Sequence, residues 1–453
     1  MARVRHECRS WWRGLTSASR VLLSEGRDLS AFRPNGILLL LAMVSFAACG
    51  NPPSNSNNIN FPYGMAVCST ASCNVSPSPP AGSTAKVQFA AVTSYGSRQI
   101  LIFNGSAYDT TSGFLVSHSS LSPTATLYNS LQGPDGLLIS SQGFTTANGT
   151  PCPAPVLYGA DGIGNKIGIW CNFNPALTSN PGPTITIASN QFAAPEGMAL
   201  DWVNASGTPL PAPILFVANP GSSNILAFDL SQIGGSGTVS LSPSGQLLPG
   251  TNGGLPFGQP ANNTGLNGPA FVAFSNSKNT LFVSNTGNSQ VNIYGNGYCV
   301  GVNLESSSKT GCASTNPNIP PTDWLSGANT YLSSPVGIRY YQGSLYVADF
   351  AANAVLIWDN LTTGGDIPPT RRLAGGNTGF NAIYALAIDD NPASPPGNIF
   401  YLTQVNSGNL LGYNNATTVS GNVAPTFTIN VTNPTLSSGN GSGGGTTGYP
   451  GFP

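Results

Sequence analysis

The sequence predicts an all-β fold, a six-bladed β-propeller of four-stranded blades, on three observations. The first is a turn-forming Pro-x-Gly step that leads into a small apolar strand. It occurs at Pro62-Tyr63-Gly64, Pro134-Asp135-Gly136, Pro195-Glu196-Gly197 and Pro335-Val336-Gly337, with looser copies at Pro269-Ala270-Phe271 and Ile383-Tyr384-Ala385. The second is a strand that ends in a small polar residue, a short Gly/Ser/Asn turn, and another apolar run that reaches an aromatic nine residues later. The pairs are Ser94 with Phe103, Asp161 with Trp170, Asn219 with Phe228, Asn285 with Tyr294, Asp349 with Trp358 and Gln404 with Tyr413. A constant offset in two alternating strands describes a hairpin with its aromatic at one position of the pleat. The third is a fourth apolar stretch, as at Thr184-Ile185-Thr186-Ile187 and Pro425-Thr426-Phe427-Thr428-Ile429. Helical periodicity is nearly absent, so units of this length pack as an array in which each buries its neighbour's apolar face.

In chain order, residues 1–48 read as an export signal. A basic segment ending at Arg33 precedes the apolar run from Ile37 to Ala48, which is too short to span a bilayer as a helix but suits a signal-peptide core. The ending Phe46-Ala47-Ala48-Cys49 resembles a bacterial lipobox, which implies lipidation of Cys49 and an exported chain anchored to the bacterial cell envelope. Residues 49–60 then form the lipidated N-terminus and a polar tether. The propeller occupies 61–435, one closed domain despite its length. A Gly-rich flexible tail occupies 436–453.

Cysteine usage agrees with export. With Cys8 in the leader and Cys49 in the lipobox, six remain, at Cys68, Cys73, Cys152, Cys171, Cys299 and Cys312, in three sequence-local pairs. Cys152 precedes the second strand of its unit and Cys171 follows the third, so an antiparallel hairpin brings both to one end. Cys68 with Cys73 clips the first inter-strand turn, and Cys299 with Cys312 staples an insertion. A zinc site is the competing reading, against which there is no Cys-x-x-Cys spacing.

Charged residues make up only 7% of the chain, and 55 glycines with 38 prolines require dense turns. Beyond Cys49 there are eight bases against thirteen acids, a formal charge of −5. No basic stripe remains to neutralise phosphates, which argues against nucleic-acid binding. Only one histidine, His118, lies beyond the leader, in a polar segment read as a loop without a nucleophile motif, so no His-based triad is expected.

The units resemble the NHL-repeat family and, more broadly, six-bladed TolB-like propellers. Gly197-Met198-Ala199-Leu200-Asp201 and Val347-Ala348-Asp349 through Trp358 carry the resemblance best. Where the family usually has Arg, this chain has Gln99, Lys166, Asn224, Gln290, Ala354 and Asn409. The resemblance implies a propeller fold, and propellers host binding modules and enzymes alike.

Topology places each Pro-x-Gly step and each second-to-third-strand turn on one rim. Asp135, Asp161, Glu196 and Asp349, with Asn219, Asn285 and Gln404, are therefore candidate ligand-binding residues at that rim. Oxygen donors at a channel mouth suit a calcium-like cation, which six-bladed sugar-lactone hydrolases use. The structural alternative is that Asp and Asn begin these turns because their side chains bond the local backbone. The opposite rim receives expanded first-to-second-strand loops at 69–85, 141–154 and 204–213. The expectation is a lipid-anchored, non-catalytic binding or scaffold module for a protein or glycan partner, with no cofactor. The alternative is a metal-dependent hydrolase or lactonase at the channel mouth.

Overall fold

Each repeat unit folds into one antiparallel sheet. The structure is a computed structural model that describes residues 61–68, 89–104, 118–128, 130–175, 179–249, 264–305, 312, 317–389 and 399–431. The signal segment, Cys49, the tether to residue 60, Cys73, the whole of the 69–85 loop and the 436–453 tail lie outside the described residues. Blade 1 runs Met65–Cys68, Phe89–Ser94, Gln99–Asn104 and Ala125–Tyr128 from the axis outward. Blade 2 runs Pro134–Ser140, Val156–Asp161, Lys166–Trp170 and Ile185–Ala188; blade 3 runs Met198–Val203, Pro209–Asn219, Asn224–Asp229 and Gly245–Leu247. Blade 4 runs Pro269–Ser275, Thr280–Asn285, Gln290–Gly295 and Asp323–Leu325; blade 5 runs Pro335–Tyr341, Ser344–Asp349, Ala354–Trp358 and Arg371–Leu373. Blade 6 runs Ile383–Asp389, Ile399–Gln404, Asn409–Tyr413 and Phe427–Val431.

The nine-residue offset acquires a structural meaning in the register. Phe103, Trp170, Phe228, Tyr294, Trp358 and Tyr413 each lie opposite the residue four positions before the polar end of the second strand. All six aromatics are buried, so one large ring per blade fills the space between adjacent sheets. Near the axis the requirement reverses, because the innermost strands converge. A Cβ on Gly64 would sit 2.0 Å from the Asp135 carbonyl oxygen, and one on Gly136 would sit 2.1 Å from that of Glu196. The glycine of each Pro-x-Gly step is thus where one blade's backbone meets the next.

Blades 2 and 6 carry a fifth strand that the four-strand repeat does not announce. Gly237–Ser240, from the third-to-fourth-strand connection of blade 3, pairs in parallel with Ile185–Ala188 of blade 2. His118–Leu121, from the corresponding connection of blade 1, pairs in parallel with Phe427–Val431 of blade 6 and closes the ring. His118 therefore belongs to a strand and not to the expected loop, because an unpaired outer edge accepts even a polar segment as its hydrogen-bonding partner.

The remaining blades repeat the same contact in shorter form. Gly365 bridges Leu325 and Gly421 bridges Leu373, both in parallel, so blades 5 and 6 each reach back to the blade before. Asn303 of blade 4 bonds both backbone groups of Gln246 in blade 3, at 2.8 and 2.7 Å. Asn180 of blade 2 does the same to Tyr128 in blade 1, at 2.9 and 2.6 Å. Every outermost strand is thus held by a strap from the following blade.

Candidate functional site

The residues of the rim divide into two groups with different surroundings. Register places Pro134 opposite Asp161, Pro269 opposite Asn285, Pro335 opposite Asp349 and Ile383 opposite Gln404, so the steps and the turns share one end of the ring. Asp161 accepts from the backbone N–H groups of Gln132, Gly133 and Gly164 at 2.9, 2.8 and 2.8 Å. Asp349 accepts from Ser333, Ser334 and Ala352 at 2.8 to 3.0 Å. Asn219 takes the Ala193 N–H at 2.6 Å and donates to the Gln191 carbonyl, and Asn285 takes the Asn267 N–H at 3.1 Å. Each side chain ties the connection from the preceding blade to its own second strand, as Asx groups do in turns.

Asp135 and Glu196 belong to the other group. They occupy the middle position of their Pro-x-Gly steps, where blades 1, 4, 5 and 6 place Tyr63, Ala270, Val336 and Tyr384. Asp135 is 8% and Glu196 9% exposed, so both carboxyls are largely removed from water. Tyr384 stands at the centre of an aromatic cluster, with its ring 4.7 Å from Tyr63 and 5.9 Å from Phe271. Burial pushes the Glu196 carboxyl up to about 8, offset in part by a hydrogen bond with Tyr384. Burial, then the neighbouring Glu196 and Asp161, hold Asp135 well above the usual carboxylate range. One Glu196 carboxyl oxygen, Oε2, has no hydrogen-bond partner. No cluster of three or more His, Cys, Asp or Glu groups able to hold a metal occurs among the described residues.

The opposite end is built differently. Residues from the innermost strands of blades 2 to 5 and the turns after them line an open cavity of about 300 Å³. Its wall includes Gln142, Trp202, Phe274, Asn276, Arg339 and Tyr340. Two of the connections at this end carry disulfides. A short hairpin, Phe144–Thr145 with Pro151–Cys152, is tied by the Cys152–Cys171 disulfide, with Cα atoms 4.9 Å apart. The Cys299–Cys312 disulfide pins a short helix, Gly297–Gly301, that packs on blade 3, where the Gly301 carbonyl accepts from Ser244 at 2.7 Å. Cys68 is also disulfide-bonded, and Cys73, its expected partner, lies outside the described residues. Sequence reasoning singled out these loops but missed Arg339 and the cavity, since only the ring brings four separate strands together.

No family model matches this chain, and no curated protein matches it. Solved structures similar to it include virginiamycin B lyase from Staphylococcus aureus, at 14% identity and a TM-score of 0.40, covering 79% of this chain and 83% of that one. A protein of unknown function from Bacteroides thetaiotaomicron aligns at 12% identity and a TM-score of 0.44, over 79% of this chain and 70% of that one. A chain of a nidogen/laminin complex aligns at 13% identity and a TM-score of 0.36, over 66% of this chain and 76% of that one. Likenesses this distant say nothing about activity. The sheets, their order and the repeated register identify the chain as a six-bladed β-propeller.

Proposed function

We propose that this chain is an exported, lipid-anchored propeller that binds a protein or glycan partner of the cell envelope through its looped face and is not itself a catalyst. The observation that carries this reading is the placement of both described disulfides, the added hairpin and the short helix around the end opposite the Pro-x-Gly steps. Cross-linked loops lose little freedom on binding, which makes a rigid face a favourable contact surface. Export accords with disulfides in a chain of this kind. No helix among the described residues is long and apolar enough to cross a membrane, and the lipobox at Cys49 supplies the anchor in this reading.

The test is affinity capture from native membranes with the full chain, its Cys49→Ala variant, and a variant in which residues 141–154 are replaced by a short turn. The loop variant, which also lacks Cys152, should lose the captured partner while still unfolding in one cooperative transition at a lower midpoint, and Cys49→Ala should lose fatty-acid labelling. Labelling that survives Cys49→Ala removes the anchor from the proposal, and capture indifferent to the loop removes the binding face.

A second reading rests on Asp135 and Glu196, two buried carboxyls with raised proton affinity that converge at the axis. Such groups mark functional sites as well as structural ones, and a metal-dependent hydrolase or lactonase would use them. A hydrolase screen with and without calcium decides the matter. Calcium-dependent turnover that disappears in Glu196→Gln replaces the binding reading with the catalytic one.

A further inference from the structure

The cavity at the looped end has a cation, Arg339, and no carboxylate among the described residues of its lining. Arg339 lies on the innermost strand of blade 5, three residues past Val336, about 10 Å along a strand. Its guanidinium makes one hydrogen bond, to the adjacent Ile338 carbonyl at 3.1 Å. The ion pairs of the described residues are Lys166 with Asp161 and Arg371 with Asp359, and neither involves it. Arg371 shows what a satisfied arginine looks like in this protein, with two bonds of 2.7 Å to the Asp359 carboxylate and two more to backbone carbonyls. Arg339 is half-buried, and desolvation lowers its proton affinity only to about 10, so it is a cation at neutral pH, with no carboxylate paired to it among the described residues.

The surroundings specify more than a charge. Tyr340 is stacked on Phe282 at 5.1 Å with the Lys278 ammonium 5.5 Å from its ring, so the ring is fixed and a second cation stands close by. Phe274 is stacked on Phe216 at 5.6 Å. The Trp202 backbone N–H donates to the Asn276 side-chain oxygen at 2.8 Å. That bond leaves the Asn276 amide N–H₂ as a donor at the wall. The cavity therefore joins a planar fork of N–H donors to aromatic side chains, two of them stacked on neighbouring rings, the combination that takes a carboxylate on one side and a flat or apolar body on the other. At about 300 Å³ it suits a small molecule and not a chain segment of many residues.

We infer that the axial cavity is a binding site for a small organic carboxylate, which pairs with the Arg339 guanidinium and lies against Trp202 and Tyr340. The site is independent of the macromolecular contact made by the loops around it.

Phenylacetate and its neutral analogue phenylacetamide serve as probes of the full chain, by calorimetric titration and by the rise in thermal midpoint that a ligand of the native state produces. Phenylacetate should bind saturably and at least tenfold tighter than the amide, the size expected of a charge-assisted pair. Arg339→Gln should abolish that preference, and Arg339→Lys should keep the sign of the preference at reduced strength. Folding of each variant is read from its unliganded thermal midpoint, and Arg339→Lys carries the test should Arg339→Gln unfold. Absence of saturable phenylacetate binding, equal affinity for acid and amide, a preference unchanged in both Arg339 variants, or equally tight binding of inorganic phosphate would each overturn the assignment.

Discussion

Asp349 shows how a residue that resembles a ligand can be a brace. Its carboxylate takes three backbone N–H groups from two connections, and hydrogen bonds to a charged acceptor are individually worth about 1.5 to 3 kcal/mol. Asp349→Ala should therefore lower stability by about 3 kcal/mol in urea unfolding, with Asp349→Asn intermediate; an Ala variant within 1 kcal/mol of wild type would contradict the bracing role. Burial raises the Asp349 carboxyl in spite of those bonds, and raises that of Glu196 further. Between 4.5 and about 8 the unfolded chain has released this proton while the folded chain retains it, so stability falls as pH rises through that window. Asp201, pushed up to about 7 by burial and partly offset by the Val203 N–H, acts in the same sense from 3.8 upward. The thermal midpoint should drop from pH 5 to pH 8, and Glu196→Gln should flatten that drop; parallel profiles for the two proteins would refute it. The sequence made Asp135, Asp161, Glu196 and Asp349 look equivalent because each sits beside a turn. Only the ring separates them, since the middle of the Pro-x-Gly step faces the axis and the end of the second strand faces the neighbouring connection.

At the scale of elements, the two repeated patterns were legible because each obeys a local rule. The Pro-x-Gly glycine answers to backbone contact, which predicts that Gly136→Ala, with its Cβ forced to 2.1 Å from the Glu196 carbonyl oxygen, destabilises by about 3 kcal/mol or prevents folding. The same change at Gly149, where nothing lies within 4 Å but φ is +80°, should be milder, and denaturant midpoints of the two variants should keep that order. The Cys152–Cys171 bridge was legible for a similar reason, since hairpin geometry alone brings the ends together. Its separation of 19 residues gives roughly 3 kcal/mol of chain-entropy stabilisation, to be read as the loss in a Cys152→Ala/Cys171→Ala double variant. The straps were not legible, because they join residues from different units. A signal was nonetheless present: Gly365-Asp366 and Gly421-Asn422 occupy matching connections. Their side chains accept the backbone N–H groups of Asn329 and Asn377, at 2.7 and 2.8 Å.

For the whole molecule, the question the repeat left open was how the ring closes. Each blade is made of consecutive strands, so blades 1 and 6 meet without sharing a sheet strand of the first four. The parallel pairing of His118–Leu121 with Phe427–Val431 supplies the join. A chain ending at residue 431 should unfold like the full chain. One ending at 426 should lose the join, and calorimetry should show a lower and broader transition for it; a transition as sharp as wild type would place the closure elsewhere.

The straps also bear on how such a protein stays apart from its own copies. An outermost strand offers a row of free N–H and C=O groups to any other chain, and proteins commonly blunt such edges with lysines or other charges. With only 7% charged residues this chain has little of that protection. A neighbouring strand, a glycine bridge or an asparagine side chain lies along every blade margin in its place. Each strap thus occupies part of the fourth strand's edge with hydrogen bonds in place of charge. High salt, which screens charge, should leave the protein monodisperse, whereas Asn180→Ala or Asn303→Ala should start strand-to-strand aggregation from a single blade.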